Sequence, residues 1–250
     1  MTFDFDGQVV LITGATRGIG RQIAEDFGKL GARLVLTGSN RQQIQHLNRS
    51  LNQETRKSVQ YLCVDFTDAG STASFLKQIT HLERIDVCVN NAGINRINPI
   101  ETSRDKDWDD IMAVNLKAPF LLTRTVSRIM KNNGYGRIVN IASIFGIISR
   151  EKRSIYSASK SGLLGLTVAS SIELARHNVL VNAVSPGFLL TDLTKKMLSK
   201  SERSDLAAQV PVGRLASPAE ISPVIVFLAS RLNSYLTGQN IIIDGGYVNV

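Results

Sequence analysis

Short apolar runs alternate along this chain with longer stretches whose apolar residues recur at helical spacing, the pattern of repeated βαβ units around a parallel sheet. The runs at 8–13, 33–37, 59–64, 85–90, 137–142, 179–184 and 240–244 predict strands. Helices are predicted over 18–30, closed by Gly31, then from the second strand through about residue 56, over 107–131, over 156–176 and over 218–230. Asn132-Asn133-Gly134 gives the stop signal for the helix before it. The stretch 187–210 is the least regular. It sets Leu189, Leu190, Leu193, Met197 and Leu198 beside Lys195, Lys196, Lys200 and Arg203, which suits an amphipathic flap over a site or an ordinary surface helix. No repeat, low-complexity tract or linker interrupts the pattern, so 1–250 is expected to form one α/β domain.

Composition narrows the class. With 43% hydrophobic residues the chain can build a sizeable core, yet no apolar run reaches the roughly 18 residues that a membrane span needs. The opening Met-Thr-Phe-Asp-Phe-Asp lacks the basic and apolar regions of a secretory signal, so a soluble cytoplasmic protein is expected. The formal charge of +8 would suit nucleic acid if the basic residues were clustered. They are dispersed, which speaks against a nucleic-acid partner and suits a field that draws in anionic cofactor and substrate. Cys63 and Cys88 lie singly in strand-like runs, and neither they nor His46, His81 and His177 have metal-ligand spacing; free thiols and no metal are expected.

Candidate chemistry sits where predicted strands end. Tyr156 and Lys160, spaced i, i+4 at the start of a helix, share one face, and Ser143 closes the strand at 137–142. A phenol ionises near ~10 in water; bringing it to about 7 takes roughly 3 pK units, about 4 kcal/mol, which a desolvated ammonium plus a cationic cofactor ring could supply. The turn Gly14-Ala-Thr16-Arg17-Gly18-Ile19-Gly20 follows the first strand and opens a helix, an arrangement that lets backbone approach a pyrophosphate. Asp65 ends the third strand and could cap the next helix, while Asn90-Asn91-Ala92-Gly93 ends the fourth and could be a simple turn.

Taken in order, these turns, with Asn115, Tyr156-x-x-x-Lys160, Pro186-Gly187 and Asp244-Gly245-Gly246, resemble the short-chain dehydrogenase/reductase family over nearly the whole chain. The resemblance implies a three-layer doubly wound Rossmann fold with a mostly parallel seven-stranded sheet, and a homotetramer packed through the helices at 107–131 and 156–176. It implies Tyr156 as general acid/base, Lys160 as the residue that lowers its pKa and holds the nicotinamide ribose, Ser143 as the donor to the substrate carbonyl, and Asn115 as support for a water-linked proton relay. Cofactor contacts implied in the same way are Gly14, Thr16, Arg17, Gly18, Ile19 and Gly20, then Asp65 and Phe66 at the adenine, Asn91, Ala92 and Gly93, and Pro186, Gly187 and Thr191 at the nicotinamide end. The reaction expected is hydride transfer between a ketone and a secondary alcohol.

The second strand ends in Thr37-Gly38-Ser39-Asn40-Arg41, with no acid to hold both ribose hydroxyls and repel a 2′-phosphate. Arg17 and Arg41 could pair with that phosphate and Ser39 or Asn40 could donate to it, so NADP(H) is expected over NAD(H). The pattern is most similar to the 3-oxoacyl-[acyl-carrier-protein] reductase branch, which implies a carrier-linked 3-oxoacyl thioester. Two departures stand out. Asn133 and His177 replace basic residues with which that branch meets its carrier, and the loop before Tyr156 carries Arg150, Lys152 and Arg153. Those charges suit an anionic sugar or polyol as well as a carrier-linked group or a solvated loop. A non-catalytic NADP-binding scaffold is the reading from another class.

Overall fold

The computed structural model describes residues 2–250, and the side chains of Asp192 and Leu193, the latter part of the expected flap, lie outside the described set. The elements run β1 (Val9–Ile12), α1 (Gly18–Lys29), β2 (Arg33–Gly38), α2 (Arg41–Ser50), α3 (Thr55–Ser58), β3 (Val59–Cys63), α4 (Ala69–Thr80) and β4 (Val87–Asn90). They continue as α5 (Asp105–Met112), a π turn (Ala113–Lys117), α6 (Ala118–Asn132), β5 (Gly136–Ile141), α7 (Ser154–Leu174) and β6 (Val179–Pro186). Last come α8 (Asp192–Met197), α9 (Lys200–Ala208), α10 (Pro218–Ala229) and β7 (Asn240–Ile243). All seven predicted strands form one parallel sheet in the order β3-β2-β1-β4-β5-β6-β7.

Apolar runs make the inner strands because both faces of the sheet are covered there, while the edge strands β3 and β7 are only partly buried. Val10 and Ile12 of β1 join Ile23 and Phe27 of α1 and Ile221 and Ile225 of α10 on one side. Val9 and Leu11 turn to the other, where Phe75 and Ile79 of α4, Leu122 and Val126 of α6 and Leu174 of α7 close the second layer. Chain order reverses between β1 and β4, so a crevice opens at the carboxyl ends of those two strands.

Three segments differ from the sequence expectation for local reasons. The helix expected through about 56 ends at Ser50, because the Asn52 side chain accepts from Thr55 N at 2.8 Å and starts the separate α3. The helix expected over 107–131 is one helical rod interrupted by the π turn that contains Asn115. Asp68, not Asp65, caps α4 by accepting from Ser71 N. The 187–210 stretch holds two helices, α8 and α9, with Met197 exposed at the end of α8. Among the described residues no helix is long and apolar enough to cross a membrane, and Cys63 and Cys88 are free thiols.

Candidate active site

The glycine turn is shaped by its neighbours rather than by its own sequence alone. Gly14 and Gly18 hold φ of 64° and 56°, a region that disfavours side chains, and a Cβ on Gly20 would lie 2.4 Å from both Asn91 Nδ2 and Gly14 O. Asn91 braces the turn from β4, its Nδ2 donating to Thr13 O at 2.8 Å and Gly14 O at 3.0 Å. Thr13 Oγ1 in turn accepts from the amides of Asn91 and Ala92 at 3.0 and 2.9 Å. Gly14 N donates to Thr37 Oγ1 at 3.2 Å, which ties the turn to β2 as well. Sequence alone does not single out Thr13 and Thr37; their only signal is a small hydroxyl residue at each strand end.

A dinucleotide fits this cradle. No side chain caps the first turn of α1, that turn holds no acid, Arg17 is exposed at its start, and the space above Gly18 is open. Gly38 brings the end of β2 against the turn, since a Cβ there would lie 2.7 Å from Thr16 Cγ2. Ser39 and Arg41 are exposed just beyond that contact, whereas Asn40 spends its side-chain oxygen capping α2 through Gln43 N at 2.9 Å. Ile19 is half-buried. Asp65 is exposed, its carboxylate accepting from Thr67 N at 2.9 Å and Thr67 Oγ1 at 2.7 Å. Phe66 is buried, edge-on to Phe75 in the core, so only its backbone is left to face a ligand. Across the crevice, Gly187 N donates to Ile243 O and its Cα packs so close to Asp244 that a Cβ would sit 2.8 Å away. Pro186 ends β6, and Thr191 caps α8 by accepting from Thr194 N at 3.2 Å.

The ends of β4 and β5 and the first turns of α7 bring the four expected catalytic residues into one place. A Cβ on Gly93 would lie 3.6 Å from both Asn115 Oδ1 and Lys160 Nζ, so the strand end, the π turn and α7 converge there. Asn115 is fully buried; it accepts from Ile94 N at 2.9 Å and donates to Ile94 O at 2.9 Å and Ser159 Oγ at 3.1 Å. Lys160, 3% exposed, donates to Ile141 O at 2.7 Å and lies 5.8 Å from the Tyr156 ring centroid. Burial pulls its pKa down to about 8. Ser143 Oγ accepts from Phe145 N at 3.2 Å, which leaves its own proton free to donate.

Opposing influences act on the Tyr156 phenol. Burial raises the phenol above its ordinary value, while the Ser143 hydroxyl and then the Arg153 guanidinium pull it down. Lys160 lies beside the same ring with its ammonium turned to the Ile141 carbonyl. Arg153, known from sequence only as part of a basic loop, is thus a second cation that acts on the phenol, beside Lys160. An aromatic wall also has no signature in the sequence: Phe145 stacks edge-on with Tyr156 at 6.5 Å and Phe188 at 6.1 Å, and Phe188 with Tyr247 at 4.9 Å. A separate cavity of about 740 Å³, lined by Arg33, Lys57, Tyr61 and His81 among others, lies at the opposite ends of β1 to β3, away from this chemistry.

A parallel sheet of this order with a Ser-Tyr-Lys-Asn cluster facing a glycine turn defines a short-chain dehydrogenase/reductase, and the chain belongs to that family; it is an oxidoreductase. The profile of the family described as enoyl-(acyl carrier protein) reductase matches residues 14–248. The chain is 37% identical over 244 residues to the 3-oxoacyl-[acyl-carrier-protein] reductase FabG of Escherichia coli (strain K12), covering 97% of this chain and 98% of that one. It is also 37% identical over 247 residues to FabG of Aquifex aeolicus (strain VF5), covering 98% and 99%. Among solved structures, a gluconate 5-dehydrogenase from Burkholderia cenocepacia J2315 in complex with NADP and tartrate superposes with a TM-score of 0.89 at 29% identity, covering 99% of this chain and 98% of that one.

Proposed function

We propose that the protein interconverts a ketone and a secondary alcohol with NADP(H) in preference to NAD(H). The observation that carries this reading is the convergence of Asn115 and Lys160 on Gly93 beside the Ser143–Tyr156 pair. The bound dinucleotide would supply or accept the hydride. Gly14, Gly18 and Gly20 would hold its pyrophosphate on the α1 amides, and Arg17, Ser39 and Arg41 its 2′-phosphate. Preference for NADP rests on the absence of any acid at the end of β2.

In the reductive direction, Ser143 donates to the carbonyl oxygen, and the Tyr156 hydroxyl donates beside it. As negative charge grows on that oxygen, Tyr156 passes its proton over. Burial keeps the phenol protonated at neutral pH, the form an acid needs. Lys160, with a pKa drawn to about 8, is poised near working pH to return a proton towards the phenolate. Asn115 contributes to that relay through its main chain, since its side chain is engaged by Ile94 and Ser159.

The substrate reading supported by sequence similarity is a 3-oxoacyl thioester, from the FabG relatives. A second reading, a sugar or polyol carrying an acid group, is favoured by the inward-turned Arg153 and by the tartrate named with the gluconate 5-dehydrogenase structure. A cytoplasmic homotetramer completes the reading; Phe120, Val168 and Ile172, exposed on α6 and α7, would be covered in it. Tyr156→Phe tests the core of the proposal. It should lose carbonyl reduction by at least about a thousandfold while NADPH binding is kept, in line with the size of acid catalysis. Near wild-type turnover in that variant would end it.

A further inference from the structure

The loop ahead of α7 carries three basic side chains, and they part company in the fold. Arg150 and Lys152 are exposed, whereas Arg153, which follows left-handed Lys152 (φ 63°), is half-buried. Its guanidinium carbon sits 5.8 Å from the Phe145 ring centroid, on the aromatic wall that includes Tyr156. Nε and Nη1 are buried and donate to nothing. Among the described residues no acid pairs with Arg153, and Glu151 next to Lys152 is exposed.

A buried guanidinium without a partner is costly and persists where something pairs it. Every neighbouring influence here selects an anion. Arg153 is the residue before the 21-residue α7, no side chain caps that helix, and the positive end of the helix dipole therefore adds to the guanidinium. Burial first, and then the like charge of Arg150, depress the Arg153 pKa, while Tyr156 senses its field. The anion that fits is a carboxylate. Nε and Nη1 each offer a charge-assisted donor to a carboxylate oxygen, whereas a dianionic phosphate set among Phe145, Phe188 and Tyr247 would lack donors.

We propose that the substrate is a keto acid or its hydroxy acid, and that Arg153 receives its carboxylate while the reacting carbonyl lies at Ser143 and Tyr156. This rests on the oxidoreductase reading above and names its substrate class. It disfavours a simple 3-oxoacyl thioester, which offers no charge beside its ketone.

The test pairs each acid with a neutral twin. NADPH oxidation is followed with acetoacetate and levulinate and with their ethyl esters, in the wild type, Arg153→Gln and Arg153→Met. The acid is expected to exceed its ester in kcat/KM by about tenfold to a hundredfold in the wild type, the range of a charge-assisted pair. In both variants that ratio should collapse towards one, mainly through KM. Because the ratio compares two substrates of one enzyme, a general loss of activity through Tyr156 cancels. Arg153→Met removes an unpaired buried charge and is expected to fold at least as well as the wild type. Turnover of acids and esters alike in the wild type, or an acid preference that survives in the variants, overturns this proposal alone. No turnover with any of them overturns the proposed ketone–alcohol reading with it.

Discussion

Replacing Lys160 with Met should make the protein more stable while abolishing its catalysis. Lys160 is 3% exposed, and burial moves its pKa from 10.5 to about 8. Each pK unit corresponds to about 1.36 kcal/mol, so the charged form carries a cost of about 3 kcal/mol in the fold at neutral pH. Met fills a similar volume without the charge but leaves Ile141 O without the Lys160 donor, a loss of about 1 kcal/mol. A net gain of about 2 kcal/mol remains, or roughly 4–8 °C in Tm for a chain of this length. The pH dependence has a definite sign. Between pH 8 and 10.5 the unfolded chain holds a proton on Lys160 that the folded chain has released, so wild-type stability from this group rises with pH across that window. The advantage of the Lys160→Met variant over the wild type should therefore be full below pH 8 and shrink as pH climbs towards 10.5. Urea melts of both proteins without nucleotide, at about pH 7 and about pH 10, measure this difference directly. A Lys160→Met protein less stable than wild type at neutral pH, or an advantage unchanged at the alkaline end, would refute the reasoning.

Two further outcomes follow from the cradle. Gly20→Ala puts a methyl group 2.4 Å from Asn91 Nδ2 and Gly14 O, so NADPH affinity by fluorescence titration should fall more than about tenfold, equivalent to about 1.4 kcal/mol. An unchanged affinity would mean that the turn is not where the nucleotide lies. Arg17→Ala and Arg41→Ala should each lower kcat/KM for NADPH by about tenfold while leaving NADH within about threefold, because only the former carries the 2′-phosphate; parallel losses with both nucleotides would place these arginines elsewhere.

The inner strands were legible because they are runs buried on two faces, and the order of turns carried the Rossmann arrangement with them. What escaped was set by side-chain hydrogen bonds with no period in the sequence. Asn52 ends a helix that periodicity would continue, and the π turn at Asn115 looks like ordinary helix in the apolar pattern because its neighbours Val114 and Ala118 are buried as in any amphipathic rod. The catalytic cluster was readable as residue types at fixed spacing. Its electrostatics were not, since how strongly a lysine and an arginine each act on the phenol depends on which way the long side chains turn. Arg153 turns towards Phe145 and Lys160 towards Ile141 O, and neither direction is encoded by spacing.

The bonds that join Thr13 and Asn91 span 78 positions of chain. The glycine loop is therefore not a local device that the first βαβ unit can assemble, because its bracing amide arrives only with β4. During folding, competence for nucleotide should appear late, when the two halves of the sheet dock across the reversal point, and no earlier fragment should acquire it. A chain stalled before β4 would display the glycine motif in full and still have nothing to hold a pyrophosphate.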